Sequence, residues 1–222
     1  QRPAETQMDD SIKKIYDGVI NGDQKTVTEQ VQAALTAGID PSTILNEGMI
    51  AAMSEVGRLF ECGEYYVPEM LIAARAMKAG LGLLRPKLAA ANVQAVGKVV
   101  IGTVQGDLHD IGKNLVAMML EGAGFEVIDL GIDVPPRKFV EAVKEHKPQF
   151  VGLSALLTTT MPMMKMTMDA LAEANVRRAV KVMIGGAPVT ERYAREIGAD
   201  IYSPDGSSAA RRAKEALGAA RS

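Results

Sequence analysis

The sequence predicts an α plus α/β protein. A four-helix bundle is expected over residues 9–89, a linker over 90–97, and over 98–222 a flavodoxin-like (Rossmann-like) doubly wound sheet of five parallel strands. Three observations predict it. Before position 90, apolar residues recur at helical spacing and no segment alternates with period two. After position 97, five short apolar runs alternate with five amphipathic ones, the order that gives crossover connections and a parallel sheet. Runs such as Phe150-Val151-Gly152-Leu153 are apolar on both faces, as strands covered on both sides are.

Residues 1–8 lack any apolar period and are read as a tail before the fold, with Met8 the natural start. Ile12, Ile15, Tyr16, Val19 and Ile20 form the first helical stripe, which stops at Asn21-Gly22. Asp23 caps a second helix that runs through Ala37 and ends at Gly38. Asp40-Pro41 starts a third, with proline at the first helical position, carrying Ile44, Leu45, Met49, Ile50, Met53, Val56 and Leu59 to near Gly63. A fourth starts at Val67-Pro68 and runs to about Leu88. Helices of this length with short connections pack as an antiparallel bundle. In the second half, strands are expected at 98–104, 125–130, 149–154, 180–185 and 200–202, and helices at 112–123, 135–146, 161–174, 189–197 and 206–218.

Composition excludes several functions. With 25 basic against 27 acidic residues, the 222-residue chain has a net charge of −2 and no electrostatic footprint for nucleic acid or acidic lipid. No apolar run reaches the roughly 18 residues of a membrane span. The single cysteine, Cys62, excludes an intramolecular disulfide, and one Cys with two His makes no Cys-rich zinc or iron–sulfur centre. A cytoplasmic location is the expectation.

The richest stretch is Gly106-Asp107-Leu108-His109-Asp110-Ile111-Gly112-Lys113-Asn114. It joins the first strand to its helix, at the sheet edge where open α/β folds bind ligands. A histidine flanked by a carboxylate has one ring nitrogen fixed and the other free for a metal or a proton. The alternative is a surface histidine beside a helix-capping Asp110. The other strands end in Gly131-Ile132-Asp133, in Ser154 followed by Thr158-Thr159-Thr160, in Gly185-Gly186, and in Ser203-Pro204-Asp205-Gly206. Ser154 and the threonines read equally as caps of the next helix, and Gly185-Gly186 as an ordinary turn. His146, between lysines late in a helix, reads as a solvated terminus. Met161, Met163, Met164, Met166 and Met168 read as adaptable packing. No Gly-x-Gly-x-x-Gly follows the first strand, no P-loop or Gly-x-Ser-x-Gly elbow occurs, and Ser154 stands where a phosphate receiver needs aspartate.

Asp107-x-His109-x-x-Gly112, Ser154-x-Leu156 and Gly185-Gly186, at these separations, resemble the signature of domains that bind cobalamin base-off. The likeness covers residues 98–218. The bundle around Tyr65-Tyr66-Val67-Pro68-Glu69-Met70 resembles the helical cap of methionine synthase. Together the halves resemble the small corrinoid proteins of anaerobic methyltransferase systems, which serve methylamines, methanol, methylthiols, betaines or methoxy-aromatics. The resemblance implies a cobalt corrinoid (methylcobalamin) with His109 as lower ligand, Asp107 bonded to the other ring nitrogen, and Thr160 completing a relay. It implies that Ser154 and Thr158 contact the displaced nucleotide tail, that Gly112, Gly185 and Gly186 leave room for it, and that Asp110, Ile111 and Leu156 adjoin the cofactor. Tyr66 stands where methionine synthase has a phenylalanine over the methyl group. The implied role is a methyl carrier that catalyses little alone. Its implied partners are a substrate-specific methyltransferase, a second, methyl-accepting one, and a corrinoid reductive activase, with no nucleic acid or membrane partner. The alternatives are a cobalamin-dependent sensor or regulator, which adds a DNA-binding region, and the small subunit of a cobalamin-dependent mutase, which has no need of a helical cap.

Overall fold

The computed structural model describes residues 9–220; the expected tail at 1–8 and positions 221–222 lie outside the described residues. The described chain divides into two compact units, with the boundary between Gln94 and Ala95. The break falls inside the segment 90–97.

In the first unit, aspartates begin the helices. Asp9 accepts from the Ser11 N–H ahead of α1 (Asp10–Ile20), and Asp23 accepts from both the N–H and the hydroxyl of Thr26 at the start of α2 (Gln24–Thr36). The third helix differs from the single α-helix expected. After α3 (Pro41–Thr43) the chain is π-helical over Ile44–Ile50 and only then α-helical in α4 (Ala51–Glu61). Ile44 and Met49 lie five apart, and the wider i→i+5 turn brings both to the fully buried side. α5 (Val67–Ala90) starts where the Tyr66 N–H donates to Glu69 Oε2 at 2.9 Å and runs two residues past the expected end. Ile12, Ile15, Val27, Val31, Met49, Met53, Met70 and Leu84 form this unit's core. Each such side chain contributes roughly 1.5–3 kcal/mol by leaving water.

In the second unit, β1 (Lys98–Thr103), β2 (Glu126–Asp129), β3 (Phe150–Ser154), β4 (Lys181–Gly185) and β5 (Ile201–Tyr202) form one parallel sheet in the order β2-β1-β3-β4-β5. That is the doubly wound order expected, and its direction reverses between β1 and β3. The helices are α6 (Ile111–Gly122), α7 (Pro136–His146), α8 (Pro162–Glu173), α9 (Glu191–Ile197) and α10 (Gly206–Ala220), with an unforeseen 3₁₀ turn at Arg177–Ala179. One core cluster joins Val100, Val151, Leu153, Val182 and Ile184 of the sheet to Phe139 of α7 and Met164, Met168 and Leu171 of α8. The methionine-rich helix is therefore packing material on one face, while Met166 points out to solvent. No helix among the described residues is long and apolar enough to cross a membrane.

Register aligns the strand ends that matter. Thr103 pairs with Ser154 and Ser154 with Gly185, so three loops leave the sheet side by side. Gly185-Gly186 is more than an ordinary turn there. A Cβ on Gly186, whose φ is +133°, would stand 1.9 Å from the Ala155 carbonyl oxygen, and one on Gly185 would stand 2.8 Å from that of Ser203. The chain's own backbone occupies the space that two side chains would need. A Cβ on Gly112 would meet nothing within 4 Å. Gly186→Ala is therefore expected to destabilise the ligand-free protein by about 3 kcal/mol or more, through strained backbone and a carbonyl clash. Gly112→Ala should stay within about 1 kcal/mol of wild type. Chemical denaturation of both variants checks the contrast.

Candidate functional site

The loop from Val104 to Asp110 leaves β1 beside the reversal of strand order, where neighbouring connections diverge and open a crevice. Its centre is Asp107, a fully buried carboxylate. Asp107 Oδ1 accepts from His109 Nδ1 at 2.7 Å and from the His109 N–H at 3.1 Å. Oδ2 accepts from Thr160 Oγ1 at 2.6 Å and from the N–H groups of Leu156 and Leu157 at 2.8 and 3.3 Å. Burial by itself would raise this carboxyl's pKa. The hydrogen bonds from Thr160, Leu156 and His109 overcome it and hold the group well below the usual carboxylate range.

An ionised Asp107 can only accept, so the Nδ1 of His109 is the donor, and in the neutral ring that tautomer makes Nε2 the acceptor. Among the described residues Nε2 has no partner, and the side chain is 50% exposed. The backbone is held as well: Thr103 Oγ1 donates to the His109 carbonyl at 2.8 Å. The site therefore presents one oriented nitrogen to whatever enters the edge. Among the described residues, no three His, Cys, Asp or Glu gather as a metal-holding group. A metal at Nε2 must bring its other ligands with it.

The remaining residues singled out from sequence fall in different places. Thr160 is buried beside Asp107, and its only proton goes to the ionised oxygen in preference to the Leu157 carbonyl 3.0 Å away. The hydroxyls of this loop do not cap the following helix, because α8 begins without a side-chain cap. Ser154 is half-buried at the end of β3, and Thr158 is exposed. Leu156 contributes its N–H to Asp107 while its side chain stays exposed, and Ile111 is 85% exposed at the start of α6. Asp110 occupies the N-cap position of α6 without capping it; its carboxylate instead accepts from Asn114 Nδ2 at 3.1 Å. Tyr66 is exposed at the start of α5 in the first unit. His146 lies in the last turn of α7, 3.9 Å from Glu145.

Sequence reasoning missed three participants. Lys113 is buried in the first turn of α6, bonded to Asp129 of β2 and to Asn114 Oδ1 at 2.8 Å. Its signal was a cation at the positive end of a helix, together with a charged residue in an apolar strand. Asp133 accepts from the Gly106 N–H at 2.7 Å. Ser203 Oγ, just past β5, is buried with no hydrogen-bond partner among the described residues, which buried hydroxyls rarely tolerate.

Two families, each described as a B12 binding domain, match residues 97–213 and 11–85. Trimethylamine corrinoid protein 1 of Methanosarcina mazei is 45% identical over 208 residues, 93% of this chain and 96% of that protein. Dimethylamine corrinoid protein 3 of Methanosarcina acetivorans is 44% identical over 206 residues, 93% and 96% of the two chains. A chain in the crystal structure of the methanol:cobalamin methyltransferase complex MtaBC from Methanosarcina barkeri superposes with a TM-score of 0.85 at 31% identity, covering 95% of this chain and 80% of that one.

Thr160→Val keeps the side chain's shape and removes a donor from a buried anion. The expected cost is about 1.5–3 kcal/mol, the worth of a hydrogen bond to a charged group. Thr160→Ser should recover most of it, as measured by denaturation of the ligand-free protein.

Proposed function

The chain belongs to the B12-binding family of corrinoid proteins, and from that premise we propose that it carries a methyl group between methyltransferases, with His109 as the nitrogen ligand of the corrinoid's metal. The observation that carries this reading is the imidazole held by Asp107 at Nδ1, half-exposed on the loop after β1, with no partner for Nε2 among the described residues. The residues around it fit a corrinoid. Leu108, Ile111, Leu156 and Leu157 are apolar and exposed in the same loops, as a large ring with apolar faces requires. Ser203 Oγ is a buried polar atom still lacking a partner, of the kind a polar tail can satisfy.

Bound there, the corrinoid supplies a cobalt centre that can accept a methyl group and release it. The protein supplies orientation and charge. Asp107 fixes the tautomer, and its negative charge makes the ring a stronger donor at Nε2. Thr160 and the Leu156 N–H keep Asp107 ionised and prevent it from turning away. Ser154, Thr158, Gly112, Gly185, Gly186, Asp110 and Tyr66 keep, as part of this proposal, the contacts that the resemblance assigns them. The partners proposed are a methylamine methyltransferase and a methyl-accepting one, in the cytoplasm, with an activase that restores the reduced metal. The names of the trimethylamine and dimethylamine relatives favour methylamines as the methyl source. Demethylation assays with the loaded protein, across trimethylamine, dimethylamine, monomethylamine and methanol and their methyltransferases, test it. Activity on methanol alone would refute the methylamine assignment.

His109→Ala is expected to fold, because the half-exposed ring supports no core, and to bind cobalamin without the axial nitrogen. The visible spectrum of the methyl-loaded protein should move to the base-off form; an unchanged spectrum would remove His109 from the metal. Asp107→Asn keeps the size and loses the charge. Its cobalamin affinity should fall by about 10–100-fold, the usual cost of changing a group behind a metal ligand. Equilibrium titration with hydroxocobalamin measures it.

A further inference from the structure

One strand-end motif, Gly131-Ile132-Asp133, and one buried cation, Lys113, have no part in the reading above. Both grip the loop that carries His109. The β2–α7 connection runs alongside that loop as a continuous seam. The Thr103 N–H donates to the Gly131 carbonyl and the Val134 N–H to the Thr103 carbonyl, each at 3.0 Å. Asp133 then clasps the next turn from both of its ends. Its N–H donates to the Asp107 carbonyl at 3.0 Å, and its Oδ1 accepts from the Gly106 N–H at 2.7 Å. To do so it adopts φ +51°, a left-handed conformation that aspartate and asparagine reach more readily than most residues. It faces a Gly106 that is itself at φ +82°.

Lys113 ties the other end of the loop to the same connection. A cation in the first turn of a helix opposes the helix dipole, and a buried one loses its hydration. Its side chain is 2% exposed, whereas that of its partner Asp129 is 39% exposed. The other oxygen of Asp129 accepts from the Gly131 N–H at 2.8 Å. Segment 129–134 thus holds the histidine loop before His109, at Gly106 and Asp107, and after it, at Lys113. The β3–α8 loop holds Asp107 from the opposite flank. Without the seam, the loop would be fixed on that flank, by the Thr103 hydroxyl and by bonds within its own turn and the start of α6.

Resting on His109 as the metal's nitrogen ligand, we propose that Asp133, backed by the Lys113–Asp129 pair, is the positioning residue that sets where Nε2 stands. The arrangement fixes the loop by charge and backbone bonds rather than by apolar packing, which the exposed Leu108 and Ile111 do not provide.

The test loads wild type, Asp133→Ala, Asp133→Asn, Lys113→Met and His109→Ala with cobalamin, and reduces the metal to cobalt(II). Electron paramagnetic resonance then reads the nitrogen hyperfine splitting of an axial imidazole, and thermal melting of each unloaded variant reports folding. Asp133→Ala should lower the ratio of nitrogen-ligated to unligated metal by about two- to tenfold, the leverage of one net hydrogen bond. Asp133→Asn keeps an acceptor oxygen and a tolerance for left-handed backbone, so it should restore the wild-type ratio. Lys113→Met should lower the ratio too, and it folds more readily than a variant of Asp129, because the carboxylate left behind is hydrated. If Asp133→Ala fails to fold, Lys113→Met decides. Wild-type splitting in every folded variant of the two residues, or an equal loss in Asp133→Asn and Asp133→Ala, overturns the proposal. Splitting that survives in His109→Ala overturns the ligand reading beneath it.

Discussion

The second unit is organised around one buried anion. A carboxylate in a protein interior is costly unless charges or hydrogen bonds replace its lost water. Asp107 meets that condition by drawing donors from two connections, its own loop and the one after β3. The need to satisfy it dictates the path of both loops, the rotamer of Thr160 and the proton position on His109. Buried Asp107 in turn fixes both the backbone N–H and the Nδ1 of a half-exposed His109.

The sheet makes this possible because its register is tight at the carboxyl edge. Thr103, Ser154 and Gly185 lie in one row, so the loops that follow start within reach of one another. Close approach then demands glycine: the Ala155 carbonyl sits where any side chain on Gly186 would begin. The Gly-Gly pair is clearance for the chain itself.

Two kinds of charge burial divide the work. Asp107 is neutralised mostly by neutral donors, whereas Lys113 relies on a single carboxylate that remains partly hydrated. Buried ion pairs add little net stability relative to apolar packing, so their retention calls for another reason. Here the pair joins α6 to the end of β2, where the exposed Leu108 and Ile111 supply no apolar packing. The first unit shows the opposite economy, with methionines and β-branched residues filling its interior and a π-helical stretch adjusting the register of one helix.

Much of this was legible in the residues. Capping aspartates, proline starts and the change of hydrophobic period give the ends of the expected helices and strands to within about two positions, because local propensity and burial act on the same few neighbours. The aspartate–histidine spacing announced an oriented imidazole, since a contact two residues apart in one loop is local chemistry. What the sequence left open were contacts between segments far apart in the chain. That Lys113 is buried against Asp129 and that Asp133 clasps Gly106 follow only from the strand order and register, and the bond from Thr160 to Asp107 was reached only through the family resemblance. The π-helical turn at Ile44–Ile50 belongs with them, because its reason is the fit of one apolar face against others. The sequence by itself determined the elements, the parallel sheet and the loop histidine held by its neighbouring aspartate. The tertiary structure decided which donors satisfy the buried carboxylate and which segment holds its loop, because a hydrogen bond between distant residues depends on where the whole backbone has placed them.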